Sequence, residues 1–142
     1  AKIFNDDWMR ERGFLDDELN VGDLIAKKDD KTFYSVQKTK TVREVMNVMK
    51  ENDISQMPVM DNGTIIGSIT ETSVLNYILE NPMNNTEKLV EAIMNEPFPT
   101  VNTDVPCSRL RQYINKQIPA VVAQDKAGSM HVITKYDIIQ AM

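Results

Sequence analysis

The spacing of apolar residues along the chain alternates between a helical and a strand-like pattern. Apolar residues three and four apart predict helices at about 21–25, 41–52, 71–80, 84–96, 106–116 and from 135 onward. Short runs rich in β-branched residues predict strands at about 33–36, 59–61, 64–70, 100–101, 120–123 and 131–133. Asn62-Gly63 is typical of the tight turn of a β-hairpin. The chain therefore reads helix, strand, helix, strand, strand, helix, twice over.

The two halves of this pattern form an internal repeat. Thr134 follows Thr70 by 64 residues, and Asp137 follows Ser73 by the same number. A Gln-apolar-Pro triplet precedes each pair, at 56–58 and at 117–119. Two copies predict one compact, pseudo-symmetric α+β unit rather than an open array. We take residues 21–82 and 83–142 as the two copies, with 1–20 as a separate leading segment.

The leading segment is charged and also carries aromatic residues. Asp7 to Leu15 has an amphipathic pattern that includes Trp8 and Phe14. These aromatics either pack on a partner domain or hold the segment to its own core. The chain begins without Met, so we expect it to be part of a longer protein.

The charge and composition narrow the classes of partner and compartment. The 142 residues are 42% hydrophobic, which predicts a filled core, and their formal net charge is −5. Without a basic run, we expect neither nucleic acid nor a membrane surface as a partner. There is no stretch of transmembrane length and no signal peptide, and the single cysteine, Cys107, suits a reducing compartment. We therefore expect a cytoplasmic protein.

The second copy of the junction carries the main candidate chemistry. Thr134 lies where a strand gives way to a helix, and Asp137 lies one helical turn further on. A carboxylate there can accept two hydrogen bonds from a diol, while unpaired N–H groups of the helix start suit an anion. The same spacing is also a capping box, in which the two residues only stabilise the helix end. The repeat of the plan at Thr70 favours a binding role.

These motifs resemble a tandem pair of cystathionine β-synthase (CBS) domains, also called a Bateman module. The resemblance rests on Gln56-Met57-Pro58-Val59, Gly67-Ser68-Ile69-Thr70, Gln117-Ile118-Pro119-Ala120 and Thr134-Lys135-Tyr136-Asp137. It implies two β-α-β-β-α repeats packed through their sheets. It also implies two clefts that bind adenosine ligands such as AMP, ATP or S-adenosylmethionine, with no other cofactor and no metal in this region.

The family's cleft joins the Gln-x-Pro loop of one repeat to the Thr-x-x-Asp of the other. The resemblance therefore implies one cleft containing Thr134, Asp137, Ile54, Ser55, Gln56 and Met57, with Val132 and Ile133 against the base. It implies a second, weaker cleft containing Thr70, Ser73, Gln117, Ile118 and Pro119. The Asp would hold the ribose, and the Thr would meet the phosphate or methionyl end.

This sequence departs from the family pattern at two positions. Ser73 stands where the ribose-binding Asp is expected, so a weak contact replaces two charge-assisted ones. Ser55 stands where enzymes of this type that respond to S-adenosylmethionine tend to carry an Asp. The first departure predicts an empty or weak second cleft, and the second disfavours S-adenosylmethionine.

The segment 7–15 resembles the stretch that follows the catalytic domain of cystathionine β-synthase itself. This implies that the chain is the regulatory region of such an enzyme, whose catalytic domain uses pyridoxal phosphate and would be its partner. An enzyme is the rival interpretation, but His131 has no ligand cluster near it in the sequence and Cys107 has no base placed beside it.

A third interpretation is a dimerisation module with vestigial clefts. The family resemblance implies a homodimer, and we expect apolar helix residues to form its contacts. Our candidates are Val74, Ile78 and Ile138. An exposed Asp137 in a cleft would favour the sensor over the dimerisation module.

Overall fold

The predicted order of helices and strands is found in both halves of the chain, but in the described part of the helix predicted at about 84–96 only Val90–Ala92 is helical, as a 3₁₀ helix. The structure, a computed structural model, describes residues 19–83 and 86–141. Its helices are α1 Val21–Ala26, α2 Val42–Asn52, α3 Glu71–Glu80 and α4 Lys135–Ala141, with 3₁₀ helices at Val90–Ala92 and Cys107–Gln112. Its strands are β1 Val36–Gln37, β2 Gln56–Asp61, β3 Thr64–Thr70, β4 Thr100–Asn102, β5 Ala120–Gln124 and β6 Met130–Thr134. The amphipathic segment before residue 19 and the cap predicted at Asn84 lie outside the described residues.

The described residues form two units, each with one three-stranded sheet. Residues 34–98 form one unit, with strand order β1-β2-β3, and 19–33 together with 99–141 form the other, with order β4-β5-β6. In each sheet the first two strands are parallel and the last two are antiparallel. The α+β fold class is therefore confirmed.

Each unit combines the strands of one repeat with the opening segment of the other. The helix α1 opens the first repeat, but it packs in the core of β4, β5 and β6 through Leu24 and Ile25. The 3₁₀ helix at Val90–Ala92 opens the second repeat, but Val90 packs with the core of β1, β2 and β3. The compact units thus differ from the sequence repeats 21–82 and 83–142, because the opening segments are exchanged.

The two hairpins differ in the length of their turns. Asn62 and Gly63 both have positive φ, 50° and 83°, as the tight turn between two antiparallel strands requires. The loop between β5 and β6 is longer, and the carboxylate of Asp125 accepts the N–H groups of Ala127 and Ser129 there. The longer second loop agrees with the wider spacing of its motifs in the sequence.

The middle helix of the second repeat is a 3₁₀ helix, whereas the apolar spacing predicted an α-helix at 106–116. In the first repeat, α2 begins with a complete capping box between Thr41 and Glu44. In the second repeat, the 3₁₀ helix follows Pro106, and no side chain caps its first turn. A 3₁₀ helix advances about 2.0 Å per residue against about 1.5 Å in an α-helix, so it spans more length with fewer residues.

The exposed apolar residues on the helices are not the predicted ones. Val74 is only 4% exposed and packs in the core, so its assignment as a surface contact is wrong. Its neighbour Leu75 is 54% exposed. Successive side chains on an α-helix point about 100° apart, so the Leu75 side chain points away from the core that buries Val74. Ile78 and Ile138 are half-buried against the cores of their units. On α4, Ile139, which follows Leu75 by 64 residues, is 62% exposed.

Candidate ligand-binding site

The junction between β6 and α4 holds the two main candidate residues together. The backbone N–H of Thr134 donates to Oδ2 of Asp137 at 2.9 Å, and the N–H of Asp137 donates to Oγ1 of Thr134 at 3.3 Å. The Thr134 hydroxyl also donates to Oδ2, at 3.2 Å. The capping box is therefore formed, and it uses Oδ2 of the carboxylate.

The other oxygen of Asp137 remains available. Within the part of the chain that the structure describes, Oδ1 receives no hydrogen bond. The Asp137 side chain is 14% exposed. An ionised carboxylate has about four lone-pair sites, so the cap leaves acceptor capacity that a hydroxyl group can use.

A lysine from a distant part of the chain lies beside this carboxylate. Lys28 follows α1, and its Nζ donates to the carbonyl oxygen of Val132 at 2.8 Å. The same Nζ lies 3.5 Å from Oδ2 of Asp137, and the Lys28 side chain is only 18% exposed. The pair is thus partly shielded from solvent, and its two charges interact more strongly than they would at an open surface.

A cavity of about 400 Å³ opens onto this pair. That volume lies within the usual range for sites of small organic ligands. The cavity is lined by Leu24, Lys27, Lys28, Asp29, Asp30, Tyr136, Asp137, Gln140 and Ala141. Tyr136 is 67% exposed, so an aromatic face and several charged groups are accessible together.

The equivalent junction in the other unit is occupied by neutral groups. Thr70 caps α3 by accepting the N–H of Ser73 at 3.1 Å, and the two hydroxyl groups lie 2.9 Å apart. Nδ2 of Asn95 donates to the Ser73 hydroxyl at 2.7 Å. The Ser73 hydroxyl already has two partners, which leaves it little capacity to hold a ligand.

Asn95 reaches Ser73 because its backbone lies directly on β3. Ser68 and Asn95 exchange two backbone hydrogen bonds of 2.9 and 2.8 Å, and the Ser68 hydroxyl donates to the carbonyl oxygen of Glu96. A Cβ atom at Gly67 would lie 2.5 Å from Sδ of Met94 and 2.9 Å from the carbonyl oxygen of Asn95. Glycine at 67 therefore permits the close approach.

The residues predicted around the first Gln-x-Pro loop lie at the start of β2. Gln56 pairs with Thr70 across the hairpin, and the carbonyl oxygen of Ser55 accepts the N–H of Glu71 at 2.8 Å. The Ser55 hydroxyl donates to Oε1 of Gln56 at 3.0 Å. Ile54 and Ser55 also line a second cavity, of about 460 Å³, between α2 and α3.

The second Gln-x-Pro loop is held by an asparagine. Oδ1 of Asn115 accepts the N–H groups of Gln117 and Ile118 at 2.8 and 2.9 Å. Just beyond Pro119, Ala120 pairs with Thr134 across the hairpin. Each unit therefore brings its own Gln-x-Pro loop next to its own threonine. The two predicted clefts, which join the loop of one repeat to the threonine and to Ser73 or Asp137 of the other repeat, stay a prediction.

Two of the predicted contact residues have fully buried side chains. Ile133 and Met57 are 0% exposed and belong to the cores of their units. Their side chains cannot meet a ligand, so any contact would come from their backbone. Val132 is half-buried, and its carbonyl oxygen already accepts Lys28.

Sequence reasoning missed Lys28 and Asn95. Each lies in the segment that precedes the first strand of a repeat, far along the chain from the residue that it contacts. Lys28 and Asp137 are 109 positions apart. Only the internal repeat gives a clue. Lys28 and Asn95 both precede the first strand of a repeat, and the residues that they contact, Asp137 and Ser73, both lie three residues after a threonine.

The described ranges also contain a thiol and side chains of the kinds that can hold a metal ion. Burial raises the pKa of the Cys107 thiol, and the nearby Asp23 raises it further, which keeps the thiol protonated. Among residues 19–83 and 86–141 there is no group of three His, Cys, Asp or Glu side chains arranged for a metal ion. Over the same ranges, none of the helices has the length and apolar content needed to cross a membrane.

Comparison with known proteins defines the family. The sequence model of the CBS domain matches residues 21–80 and 90–142. These two matches cover most of the chain, so the chain belongs to the CBS-domain family and carries two CBS domains in tandem. The expected resemblance is confirmed, and a module of this family is regulatory rather than catalytic.

Individual relatives agree with this assignment at low sequence identity. Cystathionine β-synthase of Saccharomyces cerevisiae is 20% identical over 98% of this chain and 35% of its own length. A CBS-domain protein of Agrobacterium tumefaciens has a TM-score of 0.76 at 14% identity, covering 86% of this chain and 92% of that chain. CBSX2 of Arabidopsis thaliana, solved in complex with AMP, has a TM-score of 0.65 at 17% identity, covering 87% and 95%. The chain spans between 35% and 39% of the length of the curated relatives that it matches.

Proposed function

We propose that this chain is a regulatory module that senses an adenosine ligand through the site around Asp137. The ribose diol donates to the carboxylate of Asp137, and the module passes the presence of the ligand to a catalytic domain elsewhere in the protein. The proposal rests mainly on one observation, the acceptor capacity that the cap leaves on Asp137, a residue that lines a cavity.

The arrangement of Asp137 separates a sensor from a purely structural cap. A cap needs only one carboxylate oxygen, and Oδ2 serves it. The second oxygen is free to receive a diol hydroxyl, and the hydrogen bonds from the backbone N–H and the hydroxyl of Thr134 hold the carboxylate in one orientation. A preorganised acceptor costs a ligand less ordering when it binds.

The junction at Ser73 is the weaker site in this proposal. Ser73 offers one neutral hydroxyl where Asp137 offers a charge, and Thr70 and Asn95 already engage it. Charge-assisted hydrogen bonds are roughly twice as strong as neutral ones. The module therefore binds one ligand with useful affinity rather than two.

The ligand that we favour is AMP or ATP rather than S-adenosylmethionine. CBSX2, a protein of the same fold, was solved with AMP. Ser55 provides no carboxylate for the amino group of S-adenosylmethionine. Similarity to yeast cystathionine β-synthase supports a pyridoxal-phosphate enzyme of that type as the parent, with its catalytic domain as the partner.

Calorimetry on the chain with AMP, ATP and S-adenosylmethionine tests the proposal, with Asp137→Asn as the variant. Asparagine keeps the size of the side chain and an oxygen for the cap, but it removes the charge. Loss of a charged acceptor typically costs about 1.5–3 kcal/mol, so we expect roughly ten- to hundredfold weaker binding.

Ser73→Ala is the matched control at the equivalent position, and it should leave the affinity unchanged. Thermal melts of both variants check that the fold is retained. If the unaltered protein binds none of the three ligands, the proposed sensor function is refuted. If Ser73→Ala weakens binding as much as Asp137→Asn, the assignment of the site is wrong.

We also propose self-association through the exposed helix residues, which the family resemblance implies. Leu75 and Leu79 on α3 are 54% and 68% exposed, and Tyr136 and Ile139 on α4 are 67% and 62% exposed. Apolar groups of this size gain about 1.5–3 kcal/mol each when they are fully buried. Light scattering should give a dimer for the unaltered chain and a monomer for Leu75→Glu/Leu79→Glu, and a monomeric unaltered chain would refute this.

A further inference from the structure

Lys28 occupies a distinctive position next to the candidate carboxylate. Its ammonium group has three N–H bonds. One donates to the Val132 carbonyl oxygen at 2.8 Å, and the group lies 3.5 Å from Oδ2 of Asp137. At least one N–H is left for another partner. Any ligand that reaches Oδ1 of the same carboxylate therefore lies within a few ångströms of a positive charge.

The other unit repeats this arrangement without the charges. There Asn95 donates to Ser73, which is the repeat equivalent of Asp137. Both contacts come from the segment that precedes the first strand of a repeat. The cation therefore occurs at the junction that carries the carboxylate, and a neutral amide occurs at the junction that carries the hydroxyl. This pairing indicates that Lys28 is matched to the charge at its junction.

The charge of Lys28 changes which ligands Asp137 can accept. A partly buried carboxylate on its own repels a phosphate group bound within a few ångströms of it. An ammonium group beside it offsets that charge and can donate to the phosphate. Lys27, Asp29 and Asp30 also line the cavity, but these residues are exposed, and solvent screens their charges more strongly.

We propose that Lys28 is a specificity-determining residue, which makes the Asp137 site select a nucleoside that carries an anionic group over the uncharged nucleoside and over a cationic analogue. The ligand class is a nucleoside 5′-phosphate such as AMP. Adenosine lacks the anion, and S-adenosylmethionine brings a sulfonium cation to the same region. This inference rests on the proposed function of the module.

The test compares AMP, adenosine and S-adenosylmethionine on the whole chain by calorimetry. Lys28→Met keeps most of the length of the side chain and removes its charge. We expect this variant to lower the affinity for AMP about tenfold and to change the affinity for adenosine by less than about twofold. The preference for AMP over S-adenosylmethionine should fall by about the same tenfold factor. Lys28→Arg should keep both preferences.

Lys27→Met is the matched control, because it removes the same charge from the neighbouring, exposed residue in the lining of the same cavity. It should leave the ratio of AMP to adenosine affinity within about twofold of the unaltered value. The ratio is the deciding quantity, since a general loss of structure in Lys28→Met would weaken both ligands alike.

The outcomes separate this inference from the proposed function. If the unaltered chain binds AMP and Asp137→Asn weakens it, but Lys28→Met leaves the ratio unchanged, the sensor stands and the role of Lys28 is refuted. If Lys28→Met strengthens both ligands, Lys28 obstructs the site instead of selecting its ligand, and the inference is again refuted. If the unaltered chain binds none of the ligands, both proposals fall together.

Discussion

The two strand-to-helix junctions share a backbone plan and differ in charge. At both, a threonine ends a strand and its hydroxyl accepts the N–H three residues on, which is Ser73 at one junction and Asp137 at the other. What differs is the side chain at that third position and the group that contacts it. The repeat has kept the helix cap, which the fold needs, while the chemistry that a ligand would meet has diverged.

The segments that contain Asn95 and Lys28, which cover the two junctions, also differ. In the unit of residues 34–98, the backbone of Asn95 joins β3 through two hydrogen bonds with Ser68. In the other unit, the carbonyl oxygen of the equivalent strand residue, Val132, accepts a side chain, Lys28. The backbone pairing brings the neutral amide of Asn95 to its junction, whereas the side-chain contact brings the charge of Lys28 to the other. This difference explains why one junction is the better candidate for binding.

The largest effect on stability should come from adding a methyl group at Gly67. The added Cβ would lie 2.9 Å from a backbone oxygen of Asn95 and 2.5 Å from Sδ of Met94, so β3 and the covering segment must separate. Overpacking of this kind typically costs about 1–3 kcal/mol. We expect Gly67→Ala to lower the free energy of unfolding by about 2 kcal/mol in urea denaturation.

Gly22 in α1, the covering helix of the other unit, provides the matched control. A Cβ there would come no closer than 3.2 Å, to Oδ1 of Asn20. Alanine is favoured over glycine in a helix, so the free energy of unfolding of Gly22→Ala should lie within about 0.5 kcal/mol of that of the unaltered protein. Equal losses for the two variants would contradict the difference between the covering segments.

Much of the fold could be predicted from the sequence because its local signals are strong. Asn62-Gly63 fixes a tight hairpin turn, and the apolar spacing of α2 and α3 is long enough to define a helix. The 3₁₀ helix at Cys107–Gln112 could not be predicted, since six residues do not distinguish a period of 3.0 from one of 3.6. The exposed face of α3 was misjudged at Val74, because the side that packs depends on the rest of the fold.

The candidate site could be predicted only in part, for a similar reason. Thr134 and Asp137 are three residues apart, so one local motif contains both. Lys28 and Asp137 meet through tertiary structure, and a lysine after a short helix is normally solvated. The capping box and the binding site were offered as alternatives, yet the cap uses only Oδ2 of the carboxylate, and the proposed site uses Oδ1. The distinction between Oδ1 and Oδ2 has no counterpart in a sequence.

A smaller effect is expected at the two caps, where the junctions should behave alike. Thr134→Ala and Thr70→Ala each remove a side-chain acceptor from a helix start, at a typical cost of about 1 kcal/mol. Chemical denaturation of both variants measures this loss, and Thr→Ser at the same positions should restore most of it. A loss at Thr134 alone would mean that the shared cap plan is not equally important in the two units.

The smallest effect is a pH dependence that arises from Glu44, in the unit of residues 34–98. The backbone N–H of Thr41 donates to the carboxylate of Glu44 at the start of α2, and this bond holds the pKa of Glu44 below its ordinary value of 4.5. The 3₁₀ helix at Cys107–Gln112 has no such cap. A lowered pKa in the folded state means that the folded protein releases the proton more readily than the unfolded chain. The stability from Glu44 is therefore present above pH 4.5 and is lost as the pH falls through the lower folded value.

Urea denaturation between neutral and acidic pH should show this loss in the unaltered protein and a shallower decline in Glu44→Gln. Because the carboxylate is exposed and screened by solvent, the change should be small. Glu51→Gln in the same helix removes the same charge without touching the cap, so its acid profile should follow that of the unaltered protein. If both variants flatten the profile equally, the general charge of α2 is responsible, and the contrast between the capped and uncapped helices has no part in the acid response.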